Sequence, residues 1–236
     1  MPHRSHRKSS ILAHFSWNWL LVLLLVSRGY EGSAQAPAEK EESPKIGSAK
    51  RILAIDEKTL GPDDPELAKS LNRLAALYQE AGNFAKAEPL FQRVLRINEK
   101  ALGSEHPDTA ESLNNLATLY HAMGDYAKAE PPFQRALKIK EKLLGPEHPD
   151  IALSLNKLAM LYQAMGEYAK AEPLFQRALK IREKLLGPEH PDTAVSLNNL
   201  AMLYRAMGEY GKAEPLFERA LKIKEKRSHQ GIPIPH

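Results

Sequence analysis

Residues 183–224 read EKLLGPEHPDTAVSLNNLAMLYRAMGEYGKAEPLFERALKIK, and residues 141–182 read EKLLGPEHPDIALSLNKLAMLYQAMGEYAKAEPLFQRALKIR; the two agree at 35 of 42 positions. The same offset carried backwards defines units 99–140 and 57–98. Before them, Arg51-Ile-Leu-Ala-Ile-Asp56 mirrors Arg93-Val-Leu-Arg-Ile-Asn98, a leading half-unit at 51–56. Self-similarity at this period predicts a solenoid, in which each unit buries its apolar face against its neighbours. The array then covers residues 51–226.

Each unit reads as two helices. In unit two, Gly103 suits a left-handed helix end. Pro107 suits a first helical position, where no amide hydrogen is needed. Asp108 places negative charge in the first turn, where the helix dipole favours it. Leu113, Leu116, Ala117 and Tyr120 then fall three and four apart, one apolar stripe. Gly124-Asp125 interrupts the pattern, with Asp125 a candidate cap for the second helix. That helix carries Ala129, Phe133, Ala136, Leu137 and Ile139, and the small-large alternation lets helices approach and interdigitate. Pro89, Pro131, Pro173 and Pro215 sit inside the second helices. A proline there removes a backbone hydrogen bond, so a kink or loosened first turn is expected in every unit.

The pattern Leu113-x-x-Leu116-Ala117-x-x-Tyr120, followed by Ala129, Phe133 and Ala136, resembles the tetratricopeptide repeat. The length of 42, the HPD turn, SLNNLA and the LG exit look like the kinesin light chain type of that repeat. The resemblance implies an all-α, right-handed solenoid of helix-turn-helix repeats. It also implies a concave groove, lined by the first helices, that holds a protein or extended peptide. Carried over by register, the groove positions include Lys69, Asn72 and Gln79 in unit one, and Glu111, Asn114, Thr118 and His121 in unit two. Unit three contributes Leu153, Asn156, Met160 and Gln163, and unit four Val195, Asn198, Met202 and Arg205.

Asn72, Asn114, Asn156 and Asn198 occupy one register in all four units. An amide carries donors and an acceptor, matched to a peptide backbone. Two readings stand: a ladder that holds an extended peptide, or duplicated residues that bond a neighbouring helix and fix stacking. Residues flanking the row are charged in units one and two, with Lys69, Arg73, Glu80, Glu111 and His121. They are apolar in units three and four, with Leu153, Met160, Val195 and Met202.

Chemistry-bearing patterns are absent from the sequence. His106, His148 and His190 recur one per unit, each two residues before an aspartate, and read as turn residues rather than metal ligands. The recurrent Lys-Ala-Glu, as at Lys86–Glu88, reads as a solvated helix face. No glycine-rich phosphate loop, H-E-x-x-H or G-x-S-x-G occurs. A non-catalytic scaffold with no cofactor and no metal is expected. The absence of cysteine excludes disulfides and thiolate chemistry.

Hydrophobic residues are 43% of the 236 and charged residues 26%, which excludes a polytopic membrane protein and a wholly disordered chain. Of the formal +4, residues 1–34 carry a net +3, from Arg4, Arg7, Lys8 and Arg28 against Glu31. The remainder is nearly neutral with interspersed charges, so nucleic acid is not an expected partner. Residues 1–34 have the basic, apolar and small-residue order of a secretory signal peptide. Cleavage after Ala34 or Ala36, or retention as an N-terminal anchor, would each leave the rest outside the cytoplasm; only the retained form would contact a membrane. Residues 35–50 read as a flexible linker and 227–236 as a disordered, proline-containing tail. That tail cannot cap the array, so the last unit's flank is expected to be exposed. Self-association there, giving a homo-oligomer, is the alternative to groove binding.

Overall fold

The computed structural model describes residues 43–229. The signal or anchor segment 1–34, linker residues 35–42 and tail residues 230–236 lie outside them. Within the described residues the protein is all helix: α1 (Pro44–Thr59), α2 (Pro65–Glu80), α3 (Phe84–Leu102), α4 (Pro107–Ala122), α5 (Tyr126–Leu144), α6 (Pro149–Ala164), α7 (Tyr168–Leu186), α8 (Pro191–Ala206) and α9 (Tyr210–His229). The pairs α2–α3, α4–α5, α6–α7 and α8–α9 are the four units. Each second helix also packs on the first helix of the next unit.

Local sequence sets the boundaries. Every first helix opens on proline, and the residue before it supplies the cap. Asp64 Oδ1 accepts the Glu66 amide at 2.8 Å. In the later units the histidine does this: His106 Nδ1 accepts the Asp108 amide at 3.2 Å, with His148 and His190 in the same role. That is what the recurrent HPD turn is for. The units' two helices meet at a tight turn whose glycine must be left-handed, as at Gly166 with φ 76°.

Two boundaries differ from the sequence expectation. Residues 44–50 are not linker but the opening turns of α1, with Ile46 and Ala49 buried. Ser43-Pro44 places a proline at the helix start, as in the first helices. At the other end, Arg227–His229 continue α9 rather than beginning the tail. The prolines do not end the helices: α3, α5, α7 and α9 continue through Pro89, Pro131, Pro173 and Pro215. All four prolines are exposed, as are Ala85, Ala127, Ala169 and Gly211 four residues earlier. That exposure leaves room for water to take the place of the amide that proline lacks.

The core depends on alanine. Ala75 and Ala87, Ala117 and Ala129, and Ala159 and Ala171 are fully buried on the paired helices of units one to three. Large residues such as Leu71, Phe91, Leu155 and Phe175 fill the space beside them. Between units, a polar clamp repeats. Tyr120 Oη donates to Glu88 Oε1 at 3.0 Å and accepts from Gln92 Nε2 at 3.2 Å. Tyr162 does the same with Glu130 and Gln134, and Tyr204 with Glu172 and Gln176. Lys128 Nζ lies 5.5 Å from the Tyr120 ring centre, a cation–π contact. The Lys-Ala-Glu segment is thus not merely a solvated face: its alanine is core, its lysine covers a tyrosine and its glutamate receives the next unit's tyrosine.

Ion pairs join successive second helices. Arg135 meets Glu99 and Arg177 meets Glu141, each at 2.5 Å. Lys142 pairs with Glu105 and Lys184 with Glu147 across the preceding turn. Position 98 and its counterparts reach the next first helix: Asn98 Nδ2 donates to Ser112 Oγ at 2.8 Å, and Arg182 to Ser196 Oγ at 3.0 Å.

Replacing the buried Ala159 by leucine should overpack the crossing and lower stability by about 1–3 kcal/mol. Ala169→Leu, on the exposed face of α7, should change it little. Urea unfolding of the two variants distinguishes a crossing that requires alanine from one that tolerates bulk.

Candidate functional site

The residues carried over from the resemblance lie on the first helices α2, α4, α6 and α8, and the structure orders them by exposure. Lys69, Glu111, Leu153 and Val195 share one exposed register. Among the others, Met160 and Arg205 are exposed, while Gln79, Thr118, His121, Gln163 and Met202 are half-buried. The flanking side chains change from charged to aliphatic along the array: Leu153, Met160 and Val195 are 47%, 48% and 46% exposed.

The asparagine row sits deeper. Asn72 and Asn198 are half-buried, and Asn114 and Asn156 are buried. Asn72 Oδ1 accepts from Asn115 Nδ2 of the next first helix at 3.0 Å. The row therefore lies at the seam between successive first helices, and at its first member the amide is used for stacking. Asn114 Oδ1 and both amide atoms of Asn156 are buried without a hydrogen-bond partner among the described residues. A buried amide left in that state costs about 1–3 kcal/mol.

Of position 115 and its counterparts, only Arg73 was noted from sequence, as a flanking charge; Asn115 and Lys157 were not. Asn115 and Lys157, each one residue after the row, face the previous unit's side of the seam. The repeat pattern gave no signal for them, because the residue type changes from unit to unit. Lys157 is half-buried, and desolvation pushes its pKa down, with Lys140 adding repulsion and Glu111 opposing it. Between α2, α3 and α4 a hollow of about 190 Å³ is lined by Lys69, Asn72, Asn98, Glu111 and Asn115. Lys69 also pairs with Glu66, whose hydrogen bond raises the lysine's pKa. This end of the face can hydrogen-bond and ion-pair; the far end offers aliphatic contact. No cluster of acidic or histidine side chains suited to a metal occurs among the described residues.

A tetratricopeptide repeat family model matches residues 48–100, 66–142, 133–182 and 150–226. Among solved structures, the chain is similar to a putative kinesin light chain with nearly identical TPR-like repeats from Podosopora anserina. That protein is 34% identical, with a TM-score of 0.69 over 77% of this chain and 86% of that one. BtubC (BKLC) from P. vanneervenii is 28% identical, with a TM-score of 0.71 over 82% of this chain and 78% of that one. RapI in its apo form is 20% identical at TM-score 0.68, over 80% and 66% of the two chains, and shares the fold. No curated protein matches the chain.

His121 packs against Tyr126 with ring centres 5.5 Å apart and the rings tilted by 49°, and burial lowers its pKa. Its resonances should titrate below the roughly 6.5 of an ordinary imidazole. The unfolded chain then binds this proton more readily than the folded one. The associated stability is intact above the unfolded pKa and is lost as pH falls from there through the folded value. His121→Gln should show a smaller stability loss on acidification than the wild type, measured by urea unfolding across that window.

Proposed function

This chain belongs to the tetratricopeptide repeat family, and we propose that it is a non-catalytic scaffold that holds an extended segment of another protein along its first-helix groove. One observation carries the reading. The buried, unpaired Asn114 Oδ1 and both unpaired amide atoms of Asn156 lie along a seam flanked by the exposed Leu153, Met160 and Val195. A peptide backbone supplies the amide partners, after a side-chain rotation that turns the asparagines outward. Aliphatic side chains of the same peptide cover the exposed stripe. Asn72 keeps its bond to Asn115 and serves stacking.

The ligand's polar end lies over units one and two, beside Lys69, Gln79, Glu111 and His121. Its apolar end lies over units three and four. The basic, apolar and small-residue order of residues 1–34 supports a scaffold that acts outside the cytoplasm, exported or anchored. Among the described residues no helix is long and apolar enough to cross a membrane.

The test is selection of short random peptides on the purified protein. Enriched peptides should carry charged residues toward one end and aliphatic residues toward the other. The triple variant Leu153→Glu, Met160→Glu, Val195→Glu should weaken an enriched peptide by about tenfold or more, since each buried aliphatic side chain contributes about 1.5–3 kcal/mol. Asn156→Ala should weaken it as well, while its helical circular dichroism stays that of the wild type. Lys138→Glu with Lys180→Glu, on the exposed side of the second helices, should leave binding unchanged. Binding lost in that last pair and kept in the groove variants would defeat the groove reading.

A further inference from the structure

The two ends of the array break the repeat pattern, and they do so with opposite charge. At the start, α1 corresponds to a second helix that lacks a first helix of its own among the described residues. Its outward face carries Ile52 and Ile55, exposed at 41% and 60%. Their counterparts in unit one, Val94 and Ile97, are 3% exposed. At the crossing position, where full units have Ala87, Ala129, Ala171 and Ala213, α1 has Lys45. A lysine there prevents the close approach that alanine permits, so this face is not built to take an ordinary first helix. Lys45, Arg51 and Lys58 are exposed around it. The acidic residues nearby are already engaged: Asp56 accepts from Ser70, and Glu57 pairs with Arg93.

At the other end, the flank of α9 is the surface that in units one to three receives the next unit. Tyr210 and Leu221 are exposed at 67% and 55%, and with Phe217 and Ala213 they form a hollow of about 410 Å³. Glu214 and Glu218 line it, and Arg205 is the one cation that does. Glu214 is the counterpart of Glu88, Glu130 and Glu172. Glu218, however, replaces the glutamine of the other units, whose Nε2 donates to the next tyrosine. With two carboxylates and no amide donor, this flank cannot reproduce the clamp on a tyrosine hydroxyl. It suits cations.

The geometry points to head-to-tail association of two copies of this chain, with α1 of one seated on the α9 flank of the other. Ile52 and Ile55 cover Tyr210, Phe217 and Leu221. Lys45 and Arg51 face Glu214 and Glu218. Each surface lacks one helix relative to its interior counterparts, and one junction covers both. Like-with-like pairing is disfavoured, because it sets carboxylates against carboxylates or cations against cations. A junction between unlike surfaces leaves one of each free, so association continues beyond two copies unless it closes into a ring. These surfaces are separate from the groove, and neither reading depends on the other.

Sedimentation velocity of the full chain over a concentration series tests this, with circular dichroism as the check on folding. The wild type should associate beyond a dimer, and added salt should weaken it. Glu214→Lys with Glu218→Lys, and separately Lys45→Glu with Arg51→Glu, should each weaken self-association by about tenfold or more. Mixing the two variants should restore it, because each then offers the other an opposite charge. A wild type that stays monomeric at high concentration overturns the proposal. So does association that persists unchanged in the Lys45→Glu, Arg51→Glu variant alone, which would mark a symmetric contact between α9 flanks. Association unaffected by any charge reversal would place the contact elsewhere and overturn it equally.

Discussion

The close crossing of two helices at a pair of alanines sets the spacing on which every other contact depends. Ala159 and Ala171, on the paired helices α6 and α7, are fully buried in the same core, and side chains this small let those helices pack closely. Leu155 and Phe175 then fill the space on either side. Because each unit repeats the crossing, successive units repeat their offset. Tyr120, Tyr162 and Tyr204 can therefore each reach a glutamate in the unit before. The same offset lets Arg135 meet Glu99 and Arg177 meet Glu141. Such partly exposed pairs contribute little singly, at about 0–1 kcal/mol. Their value here is register: a slipped unit would lose its clamp, its ion pairs and its serine strap together.

Duplication kept this frame and varied what lies on top of it. Of the seven positions at which units three and four differ, four lie on the first helices: the buried Ile151 and Thr193, the exposed Leu153 and Val195, the half-buried Lys157 and Asn199, and the pair Gln163 and Arg205. The other three, Ala169 and Gly211, Gln176 and Glu218, and Arg182 and Lys224, lie on the second helices. The crossing alanines, clamp tyrosines and capping histidines do not differ. A surface that changes residue type while its supports stay fixed can present a graded chemistry along one line. Here the grade runs from the ion-pairing side chains around Lys69 and Glu111 to the aliphatic ones around Met160.

What could be read from the sequence was whatever is written within one unit. The period, the proline starts, the glycine turns and the crossing alanines are all local, and they fixed the helix pairs. Contacts between units were harder to read. Lys86-Ala-Glu88 looks solvated until the tyrosine 32 residues beyond the glutamate is placed beside it. The asparagine row left a peptide ladder and a stacking role both open, and Asn72 takes the stacking role, with its partner on the next first helix, 43 residues away. The α1 start was obscured because the half-unit was recognised by only six residues, although Ser43-Pro44 offers the same proline opening as the other first turns. The prolines are tolerated inside the second helices because the turn they interrupt, with Ala85, Ala127 and Ala169 exposed, is open to water that can satisfy a carbonyl left without its amide.

The unpaired amides show how an array of this kind can carry a costly feature. Stability in a linear repeat is close to a sum of unit and interface contributions, so a deficit at one seam is borne by the contacts of that seam. Asn114 and Asn156 lie in the interior, where the adjoining units are held on both sides by clamps and ion pairs. There a loss of about 1–3 kcal/mol per unpaired group can be absorbed without separating units. At an end unit, held on one side only, the same loss would act on fewer contacts. Asn72, at the first seam, is satisfied by Asn115, and Asn198 in the last unit is half-buried. The deficit is thus confined to the part of the array able to tolerate it.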